Sequence, residues 1–280
     1  MLVCQGRAAA DGLVAPDVFS DPVAVELLTD DERVPVLQVR AGTPPRGAAP
    51  RLTYESVRAS ATGMVPRTIA IDEAVVARPC PQLVVLGAGL DSRAWRMHAL
   101  ADVDVLEVDH PASQDDKRER VGDLVPVCGS LRFVAVDFSR DSLDASLESA
   151  GHDRSRATTW LWEGVVAYLT EPEVTRTFAA VAHRSAPGSR MVVNYQAPSV
   201  TATVGRYVAH AMSWAARQRA VWSDEPRRSA WTPERMAALV RVHGFSMADD
   251  ADLLTVARQR ALPVTHARSL ASGRVVVADR

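Results

Sequence analysis

Residues 81–95 read PQLVVLGAGLDSRAW. Leu83–Leu86 is a short apolar run, Gly87, Ala88 and Gly89 follow directly, and a helical pattern opens at Ser92. An apolar strand that passes through glycine into a helix is the opening unit of a parallel sheet flanked by helices. Glycine there lets the chain turn sharply and lets a ligand approach the backbone at the mouth of the strand. The dinucleotide fingerprint asks for a third glycine where this chain has Ser92, and Asp91 puts a negative charge where a pyrophosphate would lie. A pyrophosphate is therefore disfavoured. By itself, the turn suits a ligand-free strand-to-helix junction equally well.

Outward from this turn, β-branched and apolar runs alternate with amphipathic stretches, the pattern of βαβ units. The spacing predicts strands at Leu83–Leu86, Val103–Val108, Arg132–Val136, Thr159–Trp162 and Met191–Tyr195, with two more near Phe245–Leu254 and Arg274–Ala278. Helices are expected over Ser92–Leu100, Ala112–Gly122, Ser142–Ala150 and Glu171–Ser185, the last stopped by Pro187 and Gly188. A further helix should start at Thr232 as N-cap with Pro233 in its first turn, and end at Gly244. Upstream, Phe19–Leu28 reads as a helix capped by Asp21, Gly42–Pro50 as a loop, and Tyr54–Ala77 as an interrupted helical pattern carrying Arg67 and Asp72. The organisation expected is an N-terminal helical lid region over residues 1–66 and a core over 67–280. A helical insertion rich in arginine and tryptophan, with Trp214, Trp222 and Trp231, is expected at about 200–231.

Composition removes several function classes. The chain has 280 residues, 47% hydrophobic and 24% charged, with 32 basic and 34 acidic side chains. Among the basic residues there is one lysine, Lys117, set in the charge run SQDDKRER rather than in an apolar pocket or a glycine-rich loop. Schiff-base chemistry and a P-loop both need a lysine at the working position. The near-neutral balance argues against nucleic acid as a partner. Three scattered cysteines suggest reduced thiols, and seven histidines form no metal-binding pattern, so no metal is expected. No secretory h-region or apolar stretch of membrane-spanning length is present, which gives the expectation of a cytoplasmic chain without a membrane partner.

The later strand ends carry acids. DVLEVDHP places Glu107 and Asp109 at the end of the second strand, VAVDFS places Asp137 and Phe138 at the third, and TWLWEGVVAYL places Glu163 at the fourth. A carboxylate twenty positions after Gly89 can accept both ribose hydroxyls of an adenosine, and an acid beside an aromatic ring can hold adenine. Together these positions describe a nucleoside without phosphates, and S-adenosyl-L-methionine, cationic at its sulfonium and amino groups, suits such an acid-lined edge.

In order and spacing, LVVLGAGLDSRAWRM, LEVDHP, FVAVDF and TWLWEGVVAYLTEPEV resemble the leucine carboxyl methyltransferase family, in particular its bacterial branch with polyketide O-methyltransferases. The resemblance spans about residues 67–195. It implies a Rossmann-like class I methyltransferase fold, an α/β architecture with a seven-stranded mostly parallel sheet, helices on both faces and one antiparallel strand near the C-terminus. It further implies that Arg67, in VPRTIAID, pairs with the cofactor carboxylate, that Gly87, Ala88 and Gly89 form the cofactor turn, and that Asp109 accepts the ribose, with Glu107 as alternative. Asp137 and Phe138 would then flank the adenine, and Glu163 would lie near the cofactor's amino group. Family members often add a second basic residue from an N-terminal helix, for which Arg7 is the candidate here. Plainer alternatives are an exposed helical arginine for Arg67, strand-end caps for Asp109 and Glu163, and, for Tyr168, a core aromatic rather than an active-site hydroxyl.

The function expected is S-adenosylmethionine-dependent O-methylation of a small molecule, with a carboxyl (or hydroxyl) group of a polyketide-like secondary metabolite as acceptor. No residue is singled out as catalytic, His110 included, because an ionised carboxylate acceptor needs no general base. Oligomeric state is left open. The rival readings are a S-adenosylmethionine-binding regulator or non-methylating enzyme, and an NAD-dependent oxidoreductase.

Overall fold

The computed structural model describes residues 1–198 and 228–280. Its centre is a seven-stranded sheet of β1 (Gln82–Leu86), β2 (Asp104–Asp109), β3 (Ser130–Ala135), β4 (Thr158–Trp162), β5 (Arg190–Gln196), β6 (Ser246–Asp252) and β7 (Gly273–Asp279). The strand order is β3-β2-β1-β4-β5-β7-β6. The first five strands pair in parallel, while β7 runs antiparallel between β5 and β6. The order reverses direction between β1 and β4, and ligands of open α/β sheets bind beyond the carboxyl ends of strands at such a switch point.

All five residues of β1 and of β4 are buried, which is why these runs are apolar without polar alternation. Their side chains divide by the two-residue period of a strand. Leu83, Val85, Val105, Leu161 and Val192 face a core shared with Val65, Ile69, Ile71 and Val75 of α3 (Ala48–Ala77). Val84, Leu86, Leu106, Trp160, Trp162 and Val193 face the opposite core, closed by Phe178 and Val181 of α7 (Glu171–His183) and Met236 and Val240 of α8 (Pro233–Val242). Helices α4 (Arg93–Arg96), α5 (Pro111–Val121) and α6 (Leu143–Ser149) connect β1 to β4.

Several expectations need correction. Phe19–Leu28 is a chain of turns rather than a helix: Asp21 Oδ1 does accept from Ala24 N (3.0 Å), but its other oxygen is drawn to Arg7 and Ser92. The N-terminal region expected to be helical contains two helices for which no bounds were expected, α1 (Leu2–Ala10) and α2 (Asp30–Ala41), the latter opened by a Thr29–Glu32 capping box. The interrupted pattern from Tyr54 is one helix, α3, that begins inside the expected loop, at Ala48. It runs unbroken through Pro66 and across the expected boundary at residue 66. One proline costs it a backbone hydrogen bond, offset by the burial of Val65–Ile69 on both sides. The helix expected over Ser92–Leu100 is the single turn α4 followed by a 3-10 turn, His98–Leu100. The strand expected to reach Leu254 stops where Asp252 caps α9 (Leu253–Gln259), and α10 (Ala267–Ser272) leads into β7.

The expected insertion, with Trp214 and Trp222, lies outside the described residues, save for its last few. Of these, Trp231 is a core residue: it is 4% exposed, packs with the α8 face, and its N–H donates to Gln196 O at the end of β5 (3.3 Å). Just before it, Ser229 Oγ donates to Val166 O (2.9 Å) and Arg228 N to Ala167 O (2.8 Å), on the 3-10 turn Val166–Tyr168 that follows β4.

Candidate active site

The sheet order places the quoted strand ends side by side, in the sequence Asp137, Asp109, Gly87–Gly89, Glu163 along one edge. Gly87 N and Ala88 N both donate to Val108 O (2.7 and 3.1 Å), so the turn after β1 is laced to β2. Gly87 and Gly89 have φ of +69° and +46°, a region other residues enter at a cost. Their surroundings differ. A Cβ on Gly87 would lie 2.2 Å from Val165 Cγ2, so its glycine answers a close approach by the turn after β4 rather than by a ligand. A Cβ on Gly89 would meet nothing within 4 Å, and this is where the turn faces open space.

Asp109, at the end of the neighbouring strand β2, is bound to this turn. Its Oδ2 accepts from Gly89 N (2.5 Å) and its Oδ1 from His110 N (2.6 Å), and each oxygen keeps a lone pair for a further donor. The alternative acid, Glu107, is withdrawn from the edge. It is 1% exposed, forms an ion pair with Lys117 of α5, and its Oε1 has no hydrogen bond. Burial raises the Glu107 carboxyl to about 7 against the opposing pull of Lys117. The lone lysine, expected to lie in a charge run and not in an apolar pocket, is thus itself buried, 1% exposed, with its ammonium 5.0 Å from the centre of the Trp95 ring.

Asp137 and Phe138 follow β3 and are half-buried. Asp137 Oδ1 accepts from Ser139 N and Oγ (2.9 and 2.6 Å), which holds the carboxyl below its usual range, and Oδ2 lies 3.7 Å from Arg140. Phe138 leans on the α7-side core. A cavity of about 430 Å³ between β3 and α6 is lined by none of the candidate residues.

At the other end of the edge the charges are dense. Arg67, on α3, is 8% exposed, and its Nε lies 2.8 Å from Glu163 Oε1. It is therefore not the exposed helical arginine of the plainer reading. Glu163 Oε2 accepts from Arg93 Nη1 (2.8 Å), and Arg93 also pairs with Asp91 and with Asp72 of α3 (2.7 Å). Burial alone would raise the Glu163 carboxyl, but the Arg67 and Arg93 guanidiniums prevail and bring it down to about 2. Burial likewise opposes charge on Asp91 and Arg93, and their mutual attraction holds Asp91 well below and Arg93 well above the ordinary values. Arg96 binds Asp72 (2.7 Å) and approaches Asp21 (3.6 Å), and Ser92 Oγ donates to Asp21 (2.7 Å).

Arg7 donates to Asp21 (2.8 Å) and to Leu90 O (2.6 Å), so its guanidinium is committed to the glycine turn's own backbone. The Asp91 carboxylate accepts from Arg93 N (2.8 Å) and so sits on the first turn of α4, the place a pyrophosphate would take. Arg93, Asp72, Asp21 and Arg96 were not anticipated. Arg93 and Asp91 both lie within residues 81–95, but Asp72 and Glu163 come from α3 and the end of β4.

A parallel sheet of order 3-2-1-4-5-7-6 with an antiparallel β7, and a glycine turn and acids at its carboxyl edge, defines the class I methyltransferase architecture. The model of the leucine carboxyl methyltransferase family matches residues 1–182, and the chain belongs to that family. Among relatives, a protein of Mycolicibacterium vanbaalenii is 32% identical over 212 residues, covering 71% of this chain and 66% of that protein. One of Streptomyces coelicolor is 39% identical over 137 residues, covering 48% of each. Both are provisionally named S-adenosyl-L-methionine-dependent methyltransferases. The chain spans about half the length of most of the relatives it matches. Among solved structures, a provisionally named methyltransferase from Thermobifida fusca has a TM-score of 0.56 at 15% identity, covering 99% of this chain and 94% of that one. A DUF574 family protein from Streptomyces avermitilis has a TM-score of 0.57 at 13% identity, covering 79% of this chain and 83% of that one. At these identities they speak for the fold alone.

Proposed function

We propose that the chain binds S-adenosyl-L-methionine along the carboxyl edge of β1–β4 and transfers its methyl group to a small-molecule acceptor. The observation that carries this reading is the Asp91 carboxylate seated on the first turn of α4, which disfavours a pyrophosphate, while Asp109 binds Gly89 N and the Arg67–Glu163 pair lies at the end of the neighbouring strand β4. The residues fit the cofactor: Asp109 offers free lone pairs to ribose hydroxyls, and Arg67 Nε and Glu163 Oε1 are buried without aligned hydrogen bonds, a cation and an anion for a carboxylate and an ammonium. Asp137 and Phe138 are assigned to the adenine, although Ser139 already takes one oxygen of Asp137.

When bound, the cofactor supplies a methyl group already activated by its sulfonium. The chain's contribution is alignment: Asp109 and the glycine turn fix the nucleoside, and Arg67 and Glu163 fix the amino-acid end, so that an acceptor oxygen can approach in line with the methyl–sulfur bond. A carboxyl oxygen of a polyketide-like metabolite is the first candidate acceptor, being ionised without a base. A hydroxyl acceptor would need one. The near-neutral charge supports a small molecule over nucleic acid, and among the described residues no helix is long and apolar enough to cross a membrane. A cytoplasmic location accords with three unpaired cysteines.

Calorimetry with S-adenosylhomocysteine and with NAD tests the cofactor. Binding of the former is expected, and binding of NAD alone would overturn the reading. Mass spectrometry for a gain of one methyl group on candidate carboxylic acids then distinguishes transfer from a binding-only role.

A further inference from the structure

The Arg67 and Glu163 side chains are 10% and 9% exposed and touch at 2.8 Å, yet neither Arg67 Nε nor Glu163 Oε1 completes a hydrogen bond. Two buried charges in contact but misaligned gain attraction without satisfying their directional demand. A ligand bearing an ammonium and a carboxylate on one carbon can offer each of them a better-placed counter-charge. The surrounding cluster is electrically balanced, with Arg7, Arg67, Arg93 and Arg96 against Asp21, Asp72, Asp91 and Glu163. A zwitterion entering such a cluster leaves it balanced, whereas a singly charged group leaves one buried charge unmatched.

We propose that the Arg67–Glu163 ion pair is an internal stopper of an α-amino-acid subsite, each residue quenching the other until a zwitterion separates them, so that ligands with only one of the two charges are rejected. The proposal rests on the reading of the site as one for an adenosyl amino acid and adds its selection rule. Only one contact has to open. Glu163 Oε2 stays with Arg93, which Asp72 and Asp91 hold in place, so Glu163 keeps its aim and its charge while Oε1 is handed from Arg67 to the ligand.

The test compares four probes by calorimetry on the wild-type chain, Glu163→Gln and Arg67→Gln. They are S-adenosylhomocysteine, its analogue lacking the amino group, its analogue lacking the carboxylate, and 5′-methylthioadenosine, which lacks both. Glu163→Gln frees Arg67, so the carboxylate-only analogue should bind about tenfold tighter to it than to the wild type, while the amine-only analogue weakens by a similar factor. Arg67→Gln should show the reverse preference. Equal affinity of all three proteins for 5′-methylthioadenosine shows that the nucleoside half of the site is intact. A carboxylate-only analogue that binds Glu163→Gln no better than wild type, together with an amine-only analogue that binds Arg67→Gln no better, would overturn the stopper while leaving S-adenosylhomocysteine binding to the wild type, and hence the cofactor assignment, untouched. Failure of every adenosyl probe on the wild type overturns both.

Discussion

Lys117→Met removes the only lysine from beneath β2 and leaves a side chain of similar length. The ammonium and the Glu107 carboxylate are each 1% exposed and face one another, and Glu107 Oε1 already lacks a partner. Breaking such a pair strands a charge in the interior, at a cost of about 3–5 kcal/mol when Glu107 is ionised. For a chain of this length the unfolding entropy is about 0.6 kcal/mol/K, so the melting midpoint should fall by about 5–9 °C. The loss depends on pH in a definite direction. Burial raises wild-type Glu107 to about 7, and without Lys117 it rises further, so between pH 7 and the new value the folded variant holds a proton that the unfolded chain has released. Stability of the variant then goes on falling above pH 7 by up to about 1.4 kcal/mol per unit, while the slope that Glu107 gives the wild type fades as its carboxyl ionises through about 7. Urea unfolding of both proteins at pH 6, 7 and 8 should show a deficit that widens with pH. The double variant Glu107→Met/Lys117→Met should recover most of it, since an apolar replacement of both partners is often neutral or stabilising. A deficit independent of pH, or a double variant weaker than the single one, would show that Lys117 does not hold a buried Glu107 charge in this way.

Two further outcomes are expected. Asp109→Ala removes an acceptor that braces Gly89 N and is assigned to the ribose, and S-adenosylhomocysteine affinity by calorimetry should drop on the order of 10–100-fold; unchanged affinity would reject the ribose assignment. Gly87→Ala and Gly89→Ala should separate stability from binding: the first drives a methyl into Val165 and should cost about 1–3 kcal/mol in thermal unfolding, partly recovered by Val165→Ala. The second meets open space, so its stability loss should be about 1–2 kcal/mol from its backbone angle while ligand affinity falls sharply.

The sheet was legible because its strands are buried on both faces and separated by helical stretches. Runs such as LVVL and TTWLW have no other comfortable reading at that length. The acids at strand ends were legible for a related reason, since a charge directly after a buried strand has only the sheet's edge to occupy. The N-terminal helices were harder, although TDDE at Thr29–Glu32 carries the capping signature of α2. Lys117 misled because its neighbours are charged, yet Gln114, Lys117 and Val121 lie at helical spacing and form the buried stripe of α5. Beyond its near neighbour Asp91, the cluster around Arg93 could not be read from sequence: Asp72 and Glu163 meet it only because α3 and the end of β4 converge on the glycine turn.

The hydrogen bond from Trp231 to Gln196 has a bearing on how members of such a family can diverge. It ties the chain's departure from β5 to its return ahead of α8, and Ser229 and Arg228 fasten the returning stem to the turn after β4. Whatever the sequence between these stems, the register of β5 against β4 and β7 is set outside it. Closing a longer excursion costs little, about 0.6 kcal/mol for each doubling of its length. Segments of different size and chemistry can therefore be exchanged at this junction by recombination or by design, with the sheet and its glycine edge left as inherited.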